Sequence, residues 1–261
     1  MRLLAEPPYP DTPGQPVAGW VFSILMPIIW ALILIVIIIQ TSRTKKFSIL
    51  SLLFIAGTTM FWIEWPADWG SYLVYNRNFP LFSNWTSTWY QTYWKPIPVV
   101  FGYGIFFGLA AVILTYGVPA IRRRLPKLAP VLVTLIASEV IFYAFDITAE
   151  KTMTLLGWYS YAEPVAPAWH GERGNISLVW PAIPFLGFSA CLSLLLYKQD
   201  PNGFYPNERW FGVPKAKEGV RREGLRLLAW IVTLNILLFI FQGLANPLGR
   251  ILFFHDSVYN P

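Results

Sequence analysis

Charge, sulfur and imidazole are all scarce in this chain. Only 13% of its 261 residues are charged, about half the share of a soluble domain. One cysteine, Cys191, excludes an internal disulfide framework. The only histidines, His170 and His255, give no HxxxH-type spacing, so no metal site is expected. No GxGxxG, Walker or GxSxG motif occurs. The usual sequence signs of dinucleotide, nucleotide and serine-hydrolase chemistry are therefore missing, and no cofactor is expected. Internal repeats and low-complexity tracts are also lacking, so residues 1–261 read as a single domain. The Pro-rich opening MRLLAEPPYPDTPGQPVAG has no apolar core and reads as a short irregular arm rather than a cleavable signal.

What the chain has instead is apolar sequence, 55% of the total. A membrane span needs about 20 apolar residues, and six stretches approach that: roughly 18–40, 47–64, 97–119, 128–147, 178–197 and 227–246. The expected fold is all-α, a multi-pass transmembrane bundle of about six spans with two long aromatic-rich outer loops. Pro27, Pro181 and Pro184 would kink or start helices, which neighbouring helices tolerate in a bilayer.

The net charge of +6 has a topological explanation. Arg43, Lys45 and Lys46 fill the first connection, and Arg122, Arg123, Arg124 and Lys127 the third. Lys198, Arg209, Lys215, Lys217, Arg221, Arg222 and Arg226 fill the fifth. These are alternate connections, as one side of a membrane requires. The other side holds only Arg2, Arg77, Lys95, Lys151, Arg173 and Arg250. The positive-inside rule then places both termini on the non-cytoplasmic side of the cell membrane. Nucleic acid is not needed as a partner. Membrane lipids are, and Arg122 to Arg124 suit their headgroups. Glu208-Arg209 and Arg221 to Arg226 are expected to be solvated at the inner surface. The sequence leaves the oligomeric state open.

The outer side is the elaborate one. Residues 61–95, FWIEWPADWGSYLVYNRNFPLFSNWTSTWYQTYWK, pack aromatics around Glu64 and Asp68. Trp and Tyr favour the membrane–water boundary, so an aromatic belt explains many single rings. The sharper alternative is a roof over an intramembrane pocket with acids aimed inward. Pro66 disfavours an unbroken helix through Trp65, so the second span is expected to end near Glu64. In the fourth span, Glu139 and Asp146 are seven apart and share a helix face, which Glu150 continues and Tyr143 flanks. Acids at membrane depth are functional candidates by default. A wet boundary position for Glu150 and a structural hydrogen bond for Glu139 are the plainer readings. Acids of two helices meeting under aromatic loops suit acid catalysis on a lipophilic small molecule.

The order of motifs resembles a known family. An acid and aromatics end the second span, followed by Tyr75-Asn76 and Trp85. Phe145-Asp146 with Glu150 and Tyr159-Ser160-Tyr161 come next, then Asp200-Pro-Asn-Gly203 with Glu208-Arg209, and Leu227-Leu-Ala229 opens the last span. From about residue 55 to 245 this is similar to the AveC-type spirocyclase family of actinobacterial membrane proteins. Ser83-Asn84-Trp85 stands where the family has Gly-Ser-Trp, and Tyr93-Trp94-Lys95-Pro96 where it has Pro-Gly-Trp. The resemblance implies dehydrative spiroketal closure on a polyketide dihydroxy-ketone. The family's residues carry over to Tyr75, Asn76, Asp146 and Glu150, and less directly to Glu64. The expected roles are Asp146 or Glu64 as general acid and Glu150 or Asp68 as base or counter-charge. Tyr75 and Asn76 would orient a substrate oxygen, and Trp65, Trp69 and Trp85 would wall the cation. A membrane-bound terpene cyclase, a lipid-binding or transport protein, and a structural partner protein are the other readings of the same features.

Overall fold

The computed structural model describes residues 15–75, 96–180 and 182–253. It is a helical bundle. α1 (Gln15–Thr44) is followed by α2 (Ile49–Thr59), which tightens into a 3-10 turn (Met60–Ile63) and continues as α3 (Glu64–Ser71) and β1 (Leu73–Tyr75). α4 (Val99–Arg124) and α5 (Pro130–Leu155) lead to β2 (Tyr159–Tyr161), β3 (Ala168–Gly171) and β4 (Gly174–Ser177). α6 (Ala182–Tyr197), α7 (Pro206–Trp210) and a 3-10 turn (Val213–Lys215) precede α8 (Val220–Leu238). A π-helical turn (Phe239–Leu244) joins α8 to α9 (Ala245–Phe253).

Among the described residues five segments are long and apolar enough to cross a membrane: Gly19–Thr44, Ile49–Ser71, Val99–Arg124, Pro130–Leu155 and Val220–Phe253. The sixth, α6, has 16 residues, or about 24 Å of helix, which is short of a ~30 Å hydrocarbon core. α1 turns Trp30 inward, where its indole donates to Thr58 Oγ1 at 2.9 Å. The rest of its surface leaves Leu32, Ile35 and Val36 exposed, as a lipid-facing helix does. Aliphatic and phenylalanine side chains of α2, α4, α5, α6 and α8 make the main core.

Three expectations need correction. The second span does not stop at Glu64. The 3-10 turn shifts the helical register ahead of Pro66, which becomes the third residue of α3. There its missing N–H is tolerated, and helix persists to Ser71. The outer segments are not purely loops, because β1 pairs antiparallel with β2 and β3 with β4. The fold is thus helical with two small ribbons at one end. Finally, Glu208 and Arg226 are not solvated. Glu208 is fully buried. It accepts from Trp230 Nε1 at 3.1 Å and pairs with Arg226 at 3.0 Å. Arg226 also pairs with Glu223, which accepts from the Phe47 backbone N–H. α8 begins earlier than the apolar run, so Glu223 and Arg226 lie one turn apart on a helix face that packs on α7.

These contacts gather the basic connections at one end. Phe47 meets α8 there, and Arg122 stacks 4.2 Å above the Tyr197 ring at the end of α6. The opposite end is fixed by Gly70. A Cβ on Gly70 would sit 2.3 Å from the Asn246 backbone, so α3 and α9 touch main chain to main chain. Gly70→Ala is expected to destabilise the fold by about 1–3 kcal/mol through this overpacking, read as a lower melting temperature of the detergent-solubilised protein. Gly224→Ala, with open space around it, should not lower it.

Candidate acid cavity

Four carboxylic acids from two helical segments face one cavity of about 310 Å3. Glu64 and Asp68 come from α3, one turn apart. Asp146 and Glu150 come from α5, also one turn apart. Phe106, Phe107, Phe145 and Phe185 form the apolar floor, and Phe22 of α1 lies 3.7 Å from Trp158, ring centre to ring centre, at the wall. Among the described lining residues there is no Lys, Arg or His. No three His, Cys, Asp or Glu side chains of the described residues are arranged to hold a metal.

The ribbon of β1 and β2 supplies the phenols. Its register pairs Leu73 with Tyr161 and Tyr75 with Tyr159. Strand side chains alternate between faces, so Leu73, Tyr75, Tyr159 and Tyr161 all reach the cavity. Ser160, on the other face, accepts from the Asn175 N–H of β4. The Tyr75 hydroxyl donates to Glu64 Oε1, and the Tyr103 hydroxyl of α4 donates to Oε2. Both Glu64 oxygens therefore act as acceptors. Tyr161 donates to Glu150 Oε2 at 2.8 Å, and Tyr159 lines the same cavity. Burial first, then the Glu64 carboxyl, pushes the Tyr75 phenol well above its ordinary range. Burial and Glu150 do the same for Tyr159 and Tyr161. These phenols stay protonated and remain donors as pH rises through the usual tyrosine range. Asp146 is buried yet receives no hydrogen bond from the described residues.

Gln242 adds an amide. It sits in the π-helical turn, a distortion frequent at functional sites, and lines the cavity. The orientation of its amide follows from a chain of partners. The Ala67 carbonyl only accepts, so the Asn246 edge facing it is Nδ2, 3.4 Å away. The same nitrogen donates to Gln242 Oε1 at 2.7 Å.

The sequence-derived candidates divide clearly. Asp146, Glu150, Glu64, Asp68 and Tyr75 are brought together. Glu139 is not; about 10 Å lower on α5 by helical rise, it accepts from Ser189 Oγ at 3.2 Å. The Tyr143 hydroxyl donates to the Leu178 carbonyl at 2.7 Å and does not line the cavity. Trp65 and Trp69 do not wall it either. They occupy a different stripe of α3 from Glu64, Asp68 and Ser71: Trp65 packs against Phe61, and Trp69 lies 4.2 Å beneath the Arg250 guanidinium. Asn76 and Trp85 lie outside the described residues. Tyr103, Tyr159, Tyr161 and Gln242 were not picked out as site residues from the sequence. The Tyr-Ser-Tyr alternation was the available sign for two of them.

Removing one phenol from Glu64 leaves a carboxyl oxygen without its donor. Tyr75→Phe and Tyr103→Phe are each expected to cost about 1–3 kcal/mol, seen as a lower melting temperature, whereas Tyr116→Phe on the exposed side of α4 should cost nothing measurable. In a spectrophotometric titration the ionisation step near pH 10, where free tyrosines titrate, should keep its full amplitude in Tyr75→Phe. A smaller step would show that Tyr75 titrates with the exposed phenols.

No curated protein and no solved structure matches the chain. A family profile described as spirocyclase, AveC-like, matches residues 44–247. That span opens as α1 ends and closes within α9, taking in all four acids, the described phenols that hold them, and Gln242. The chain belongs to the AveC-like spirocyclase family.

Proposed function

We propose that this protein is a membrane cyclase that closes a spiroketal on a lipophilic dihydroxy-ketone of polyketide type by carboxylic acid catalysis. The observation that carries the reading is the convergence of four acids from α3 and α5 on one aromatic-floored cavity with no basic side chain among its described lining residues. A wall of that kind complements a reaction passing through a cation. The cavity's size falls at the lower end of the range for small-molecule sites, about 300–1,000 Å3.

The steps balance as follows. One substrate hydroxyl adds to the ketone, and its proton passes to the ketone oxygen, giving a hemiketal. Asp146, on which no described protein group donates, hands its proton to the hemiketal hydroxyl, which leaves as water. The oxocarbenium ion that remains faces Glu64, held by Tyr75 and Tyr103, and the phenylalanine rings. The second hydroxyl attacks the cation and its proton goes to Glu150. From there it returns to Asp146, one helical turn away. One water is lost, and the acids end as they began. Asp68 adds negative charge to the same wall. The substrate reaches the cavity from the bilayer in which the five long apolar helices are placed, with the basic connections on the cytoplasmic side and the acid cavity near the opposite face.

The test is a product assay on membranes containing the full chain. A dihydroxy-ketone should lose one water to a spiroketal. Asp146→Asn should lower the rate by about 10²–10⁴-fold, the usual worth of a general acid. Glu139→Gln, altered on the same helix outside the cavity, should keep most of it. Isomerisation of a prenylated epoxide without loss of water would move the protein to terpene cyclisation. Turnover of neither would contradict the enzymatic reading.

A further inference from the structure

The basic end of the bundle holds a second cavity that shares no lining residue with the acid cavity. It is a cleft of about 270 Å3 between the end of α4 and the start of α5. Arg122, Arg123, Leu125, Leu128, Pro130 and Val133 line it. The guanidinium of Arg122 is flattened against Tyr197 at 4.2 Å. Its Nε is buried with no hydrogen-bond partner. A buried N–H without an acceptor is rare and costly in a folded protein.

Neither Asp nor Glu occurs between residues 119 and 138. Among the described residues Arg122, Arg123 and Arg124 have no carboxylate partner. α5 opens on Ala129 and Pro130, with no side-chain cap and no acid in its first turn. A charge pattern that merely set membrane orientation would need none of this. It would need neither a stacked arginine nor a cleft.

We propose that the cleft binds the phosphate of an anionic membrane lipid. Arg122 and Arg123 hold the phosphate oxygens, for which a planar guanidinium is well matched. The acyl chains run along Leu128, in the turn before α5, and Leu132 on α5, both exposed. A free phosphate ester has the same charged chemistry but no use for that apolar edge, and the lipid is therefore the occupant.

The experiment uses the full chain in detergent, titrated with phosphatidylglycerol and followed by native mass spectrometry. Phosphatidylcholine with the same acyl chains and glycerol 3-phosphate are the comparison ligands. Phosphatidylglycerol should be retained and the other two should not. Arg122→Gln with Arg123→Gln should weaken it about thirtyfold, in line with the worth of two basic residues near a lipid surface. Arg43→Gln with Lys46→Gln removes equal charge from the same end and should change it less than about twofold. Arg122→Lys keeps the charge without the planar stack; it should still weaken binding, and it tests the site if the double variant does not fold. Equal weakening by both charge-removing pairs would reduce the cleft to diffuse surface charge and overturn the proposal. Glycerol 3-phosphate binding as tightly as the lipid would overturn the lipid assignment.

Discussion

A carboxyl group taken into a membrane protein must be given hydrogen-bond donors or a counter-charge, and in this protein the donors at Glu64 and Glu150 are phenols. Much of the acid end follows from that requirement. Tyr103 reaches Glu64 from α4 across the cavity. Tyr75, Tyr159 and Tyr161 have to arrive from the chain beyond the helices, and a two-stranded ribbon with a fixed register is the device that aims all three at once. A one-residue slip would turn those rings away and bring Val74 and Ser160 in their place. The left-handed turn at Tyr72, which ends α3, sets where that ribbon starts. Arg250 is stacked against the rings of Trp69 and Tyr72 and donates to the Trp69 carbonyl at 2.6 Å.

The two ends of the bundle solve the problem of buried charge differently. At the basic end, Glu208 is matched to Arg226 and the Trp230 indole. Such a pair fixes geometry and adds little net stability, because desolvation offsets the attraction. It ties α7 and α8 to the first connection. At the acid end the geometry is different: Glu64 and Glu150 are held by phenols, which are neutral donors. That difference separates a structural ion network from a cavity suited to a cation.

Much of this was legible in the sequence. Apolar run length marked the five long helices, and seven-residue and four-residue spacings put Asp146 and Glu150 on one face. Pro66 misled because a local rule disfavours helix before proline, and the 3-10 turn that absorbs it leaves no clear mark in composition. Trp65 and Trp69 misled for a related reason: with α3 assumed broken, their stripe could not be told from that of Glu64 and Asp68. Glu139 matched the acid spacing, but height along a helix, unlike direction, depends on where neighbouring helices leave space. Gln242 was hidden in an apolar run, and only the π-helical turn rotates it into the cavity. Glu208 and Arg226 are eighteen residues apart, and their pairing is a tertiary fact that counting charges by connection cannot reach.

The central claim is that the cavity complements a cation through its acids. The direct measurement compares, on the purified chain, the affinity of a lipophilic cyclic ammonium with that of its neutral ether isostere of the same shape. The account predicts that the ammonium binds at least about tenfold tighter, as a mimic of the cationic state should, and that Glu64→Gln and Asp146→Asn each shrink the difference. Equal affinities for the two, or a preference untouched by either substitution, would contradict it.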